Sequence, residues 1–233
     1  MYIGKNTFCP LLVGLACVGL AACGHNDDNN DVPAPVEVSY RVTVTNLTSG
    51  QALSPIAFLA HSAGKLWEVG HSASESVALM AESGDNSEML NADGVIMGVS
   101  GEMPLAPGES VELILSLEPQ PSLMLSVAGM LVNTNDGFTG VTGLEATVLA
   151  IGESHEFYTR AYDAGTEANT ELKGTIPGPA DGGEGVSEGR EAHDTVAMHP
   201  GVVTRQDGLA ESVLQAEHKF DNPVAKISLQ RLE

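Results

Sequence analysis

Apolar and polar residues alternate most cleanly near position 40, where Val36, Val38, Tyr40, Val42 and Val44 are interleaved with Glu37, Ser39, Arg41, Thr43 and Thr45. A period of two places one set on each face, so this segment predicts a β-strand with one buried face. A turn at Ser49-Gly50 follows, then an apolar run from Ile56 to Ala60. The period changes once. Ser72-Ala73-Ser74-Glu75 fits a capping box, and Val77, Met80 and Ala81 follow at helical spacing, predicting one short helix over about residues 73–82. Further strands are expected at Val111–Leu117, Leu123–Val132 and Ala146–Ile151, separated by turns rich in glycine, proline and aspartate. Pro177–Gly189 is too glycine-rich for a core element and reads as a long exposed loop. Alternation resumes at Val224, Ile227, Leu229 and Leu232, so a last strand is expected to complete a sheet. With strands dominant and no βαβ rhythm, the expected class is all-β: an antiparallel β-sandwich with one short helix and long loops.

The N-terminal pattern predicts export. Lys5 is a short basic region, Pro10–Leu20 is apolar and uncharged, and Leu20-Ala21-Ala22-Cys23 is a small-residue cleavage site ending in cysteine. The run is shorter than the roughly 20 apolar residues of a spanning helix and has the length of a signal-peptide core. The tetrad resembles the lipobox of bacterial lipoproteins, which implies a signal over residues 1–22 and Cys23 as the acylated N-terminus. Gly24 is not the aspartate that holds some lipoproteins at the inner membrane, so the resemblance implies an outer-membrane lipoprotein facing the periplasm or the cell surface. Residues 23–35, polar, acidic and ending in Pro-Ala-Pro, suit a flexible tether, and residues 36–233 a single domain.

Composition narrows the partners. The chain carries 31 acids against 10 bases, net −21, and loses only Lys5 with the signal, leaving −22. Such a surface excludes nucleic acid, which needs a basic footprint, and also an electrostatic hold on anionic lipid. Membrane attachment then rests on the N-terminal lipid alone. Cys9 and Cys17 leave with the signal and Cys23 is acylated, so no intramolecular disulfide is expected in the mature domain. No phosphate loop or H-E-x-x-H occurs, and the expectation is a protein that is not an enzyme.

The candidate chemistry lies in two turns. Tyr162-Asp163-Ala164-Gly165-Thr166-Glu167 holds two acids four positions apart around a glycine, directly after a predicted strand. Asp136 sits where the apolar strand ending at Val132 enters the polar turn Asn133-Thr134-Asn135-Asp136-Gly137. Should the two strands end at one pole, Asp136, Asp163 and Glu167 converge, and a hard cation such as Ca²⁺ would relieve their repulsion. Asn169 and Glu171 are expected to face solvent, and the seven histidines to be structural or superficial. Trp67, the single tryptophan, is expected in the core.

Taken in order, MLVNTNDGFTG, YDAGTEANTE, His199-Pro200-Gly201-Val202 and the closing PVAKISLQRL resemble the spondin domain, especially its bacterial members, from about Val38 to Leu232. The resemblance implies a C2-like β-sandwich with calcium at one end, held by acids from different loops, here Asp136, Asp163 and Glu167. Glu167 stands where the animal domains usually have aspartate, and the animal disulfides are missing. The implied function is a lipid-anchored binding or adhesion module of the cell envelope, its partner an extracellular or envelope protein or glycan. Two alternatives stay open. One is a structural envelope protein using Ca²⁺ only for stability; the other is a metal-dependent hydrolase using the acids with His155 or His199.

Overall fold

A computed structural model describes residues 36–62, 64–183, 185–186 and 195–233. The expected signal, Cys23, the tether and His193 lie outside the described residues, as does the end of the Pro177–Gly189 loop.

The strongest alternation becomes the centre of the smaller sheet. Strand β1 (Val38–Asn46) turns Val38, Tyr40, Val42 and Val44 inward, each at most 8% exposed. Strand β2 (Ala57–His61) is buried throughout and begins the second sheet. Helix α1 (Glu75–Ser83) is capped by Ser74, whose hydroxyl accepts from the Val77 amide, and closes at Gly84 in the left-handed conformation. The cap is thus Ser74, two residues beyond the first serine of the expected box. A single turn, α2 (Ser87–Leu90), precedes strands β3 (Val95–Ser100), β4 (Ser110–Leu117) and β5 (Met124–Met130). Strand β6 (Gly137–Glu145) leads into β7 (Ser154–Thr159), β8 (Ala161–Asp163), β9 (Ala197–Met198) and β10 (Ala225–Arg231).

All pairings are antiparallel. The sheets run β4-β1-β10-β7 and β3-β2-β5-β6-β8-β9. Their inner faces enclose the main core, where Val42, Phe58, Leu115, Leu125, Ile227 and Leu229 are all but completely buried. This is a β-sandwich, as the alternation predicts. A second apolar layer covers the outer face of the larger sheet. There Val77, Met80 and Ala81 of α1 pack with Met130, Phe138 and Trp67. Trp67 is 6% exposed and meets Phe138 edge-on at 5.3 Å, the core position expected of it.

One local expectation fails, and one strand was not anticipated. Ala146–Ile151 does not form a strand: Ala146–Val148 is a 3₁₀ turn, and only Ala146 and Leu149 of the segment are buried. Alternation was absent there, and a run of apolar residues alone does not choose between strand and turn. Conversely, β6 carries Gly137, Gly140 and Gly143, residues that weaken a strand signal. They are admitted because the neighbours leave no room. A Cβ on Gly140 would stand 2.0 Å from the Val127 carbonyl oxygen, across the β5–β6 pair.

The chain changes sheets between β7 and β8. Strand β7 ends beside β10, the Thr159 hydroxyl lies 2.8 Å from that of Thr139 on β6, and β8 then pairs with β6. This crossing brings Asp163 opposite Gly137, beside Asp136.

Candidate metal centre

The turn from β5 to β6 is a buried junction. Thr134 holds its shape: its hydroxyl donates to the Leu131 carbonyl at 2.7 Å and accepts from the Gly137 amide at 2.9 Å. The three neighbouring side chains each capture another segment. Asn133 accepts from the Ala180 amide, and its own amide donates to the Gly50 carbonyl. The side-chain amide of Asn135 donates to the Thr175 carbonyl at 3.2 Å. Asp136 Oδ2 accepts from the Thr166 amide at 2.7 Å, the Glu167 amide at 3.0 Å and the Thr166 hydroxyl at 3.3 Å. A sequence read as one polar turn is therefore the anchor of most of the long loops.

Asp136 is fully buried, and its second oxygen, Oδ1, has no hydrogen-bond partner. Burial pushes its carboxyl up to about 6; the neighbouring Asp163 carboxylate adds to this, and the Glu167 and Thr166 amides oppose it. Asp163, 9% exposed, is held in an Asx turn, its Oδ1 accepting from the Gly165 amide at 2.8 Å and its Oδ2 from Asn169 at 2.5 Å. Gly165 makes the turn possible. Its φ is +74°, and a Cβ there would lie 2.4 Å from the Thr195 carbonyl oxygen.

The structure brings Asp136 and Asp163 together, and Glu167 meets Asp136 through its backbone amide. The expected convergence of three carboxylates is not assembled as such: among the described residues, no three His, Cys, Asp or Glu side chains are grouped to hold a metal. A hard cation at Asp136 and Asp163 would draw its remaining ligands from carbonyl, amide or hydroxyl oxygens and water.

One residue departs from its expected place. Glu171 is 3% exposed, with φ of +51°, and does not face solvent. Its carboxylate accepts from the Val203 amide at 3.0 Å and its carbonyl from the Val213 amide at 2.9 Å, pinning the 202–214 segment. Burial raises its carboxyl above the ordinary value. Asn169 is exposed, as expected, but its amide steadies Asp163.

His199 belongs to the same pocket. It is 5% exposed, packs on Phe220 at 5.3 Å, and its Cδ2 would stand 3.0 Å from a Cβ on Gly137. Burial lowers its imidazole below the usual range, against the pull of the Asp163 carboxylate. Nδ1 accepts from the Gly201 amide, so the neutral ring carries its proton on Nε2, a buried donor without a partner. Its sequence signal was the His-Pro-Gly turn; its proximity to Asp163 depends on β9 pairing with β8 and was not legible.

Compared with known protein families and with curated proteins, the chain matches none. Among the described residues, no helix is long and apolar enough to cross a membrane.

Proposed function

We propose that the mature chain is a lipid-anchored binding or adhesion module of the cell envelope, of the spondin kind, whose loops are ordered by Ca²⁺. Asp136 and Asp163 are the primary ligands, with Glu167, on the Asp163 loop, the third acid. The observation that carries the reading is Asp136 Oδ1, a buried carboxylate oxygen with no partner beside a second carboxylate. Leaving such an oxygen unsatisfied costs about 1–3 kcal/mol or more for a charged group, and a cation would satisfy it. The order of the four motifs from Met130 to Leu232 supports the same assignment.

Titration calorimetry of the mature chain with CaCl₂ tests the ion. Saturable binding that Asp163→Ala weakens at least about tenfold is expected; no heat, or the same affinity in the variant, overturns the site. The anchor has its own test. Cys23→Ala should shift the protein from the membrane fraction to the soluble fraction, and unchanged partitioning rejects acylation.

The depth of the site favours one second reading, in which the ion is purely structural. Asp136 is inaccessible and tied to loop amides, so the cation would brace the fold without touching a partner. Under that reading Ca²⁺ raises the melting temperature, yet immobilised protein retains nothing from envelope or matrix extracts in calcium that it does not retain in chelator.

A further inference from the structure

Strand β4 is an open edge. It pairs with β1 over eight consecutive residues without a bulge, and among the described residues no backbone hydrogen bond joins β4 to any other segment. Proteins commonly protect such edges with lysine, proline, a bulge or a covering loop. Strand β4 reads Ser-Val-Glu-Leu-Ile-Leu-Ser-Leu, with Glu112 its one charge. Beside the edge lies a cleft of about 440 Å³ between Met103, Pro104 and Leu105 on one wall and Val111, Glu112 and Leu113 on the other. Val111 and Leu113 point toward the core but are only partly buried, because among the described residues no strand follows β4 in the sheet. Met103 is 74% exposed, and Ile114, on the outward face, 48%.

The geometry points to β4 as a docking edge for an extended peptide segment of a partner protein, added as the fifth strand of the smaller sheet. Main-chain bonds to the edge would supply affinity, and the cleft would take the partner's alternate side chains. Two observations define its chemistry. The cleft presents Met103, Pro104, Leu105, Val111 and Leu113, with Glu102 and Glu112 among them, so the inward positions of the added strand are apolar. The outward face offers Glu112, with Glu109 and Glu118 flanking β4, so the outward positions are basic. Strand β1 already shows the match from the other side: Val42 and Val44 turn inward, and Arg41 Nε lies 3.2 Å from Glu112 Oε1 on the outer face. The same charge argues against a second copy of this chain, since β4 against β4 would bring glutamates together in a protein of net charge −21. The edge shares no residue with the Asp136 pocket and stands or falls without the cation.

The test uses the mature chain and a fluorescein-labelled synthetic peptide of the Val36–Asn46 sequence, read by anisotropy. Saturable binding is expected. Glu112→Lys, an exposed change, should weaken it about fivefold, and a peptide with glutamate in place of Arg41 should recover affinity for that variant. N-methylation of alternate peptide amides should abolish binding in one register and spare it in the other, because an edge strand offers only one row of partners. Three results overturn the proposal: no saturable binding, equal loss with both methylated peptides, or a sedimenting dimer of the protein alone that the peptide does not disperse.

Discussion

At the level of single residues, Asp136 carries two opposed demands. Its Oδ2 gathers two loop amides and a hydroxyl, while its Oδ1 is buried without a partner. With its native carboxyl near 6 against an ordinary value near 3.8, the folded state holds a proton that the unfolded chain has lost. Stability from this group therefore falls as pH rises from about 4 to about 6, by a total of about 3 kcal/mol. His199 acts in the opposite direction. Its depressed imidazole contributes stability that is present above 6.5 and lost as pH falls. The two slopes partly cancel, so a variant is needed to separate them. Asp136→Asn keeps an acceptor for the amides and removes the charge. In chelator its unfolding free energy relative to the parent should grow by about 3 kcal/mol between pH 4 and pH 7. At pH 8 the variant should match or exceed the parent's stability and show no response to calcium. A loss of stability at pH 8 in chelator would show that the ionised carboxylate itself holds the loops.

Among the elements, legibility followed alternation. The strands β1, β4 and β10 were readable because one face is buried and the other is wet, and the helix because its cap and its apolar spacing coincide. Strand β6 was not readable, since its glycines answer to close approach by β5 and by the segment around Gly64, which no local pattern records. The acids of the candidate site were readable as residue types in turns, while their meeting depended on the sheet change between β7 and β8. The Asp163 turn gives an element-scale test. Gly165→Ala meets both a positive φ and the Thr195 backbone at 2.4 Å, whereas Gly108→Ala meets a positive φ of +78° with open space around it. The second should cost about 1–2 kcal/mol, the expense of the left-handed backbone alone. The first should cost clearly more, by urea denaturation, and should weaken calcium binding, because the 195–199 segment must move away from Asp163. Equal costs would mean that the turn and the segment are not packed as described.

For the molecule as a whole, the two-sheet core and the loops over one pole have different sources of order. The core closes on apolar side chains from every main strand. Among the described residues, the loops between Ala164 and Phe220 have a small apolar cluster of Ile176, Val202 and Leu214, and Asn133, Asn135, Asp136 and Glu171 are among the polar side chains that hold them. Asp136 and Glu171 are carboxylic acids whose burial disfavours their charged form. Segments held by few apolar contacts open more readily than the core and do so without global unfolding. A cation at Asp136 and Asp163 would raise the free energy of that local opening by RT ln(1 + [L]/Kd), about 2.7 kcal/mol at a hundredfold excess over Kd. Limited proteolysis then separates the two layers. In chelator, cleavage should fall between Ala164 and Phe220 and leave the β1–β6 portion intact. Calcium at that excess should slow it by about a hundredfold, provided that reclosing outpaces cleavage. Protection that appears equally in Asp163→Ala, or cleavage that begins within β1–β6, would place the ion's effect elsewhere than in this pocket.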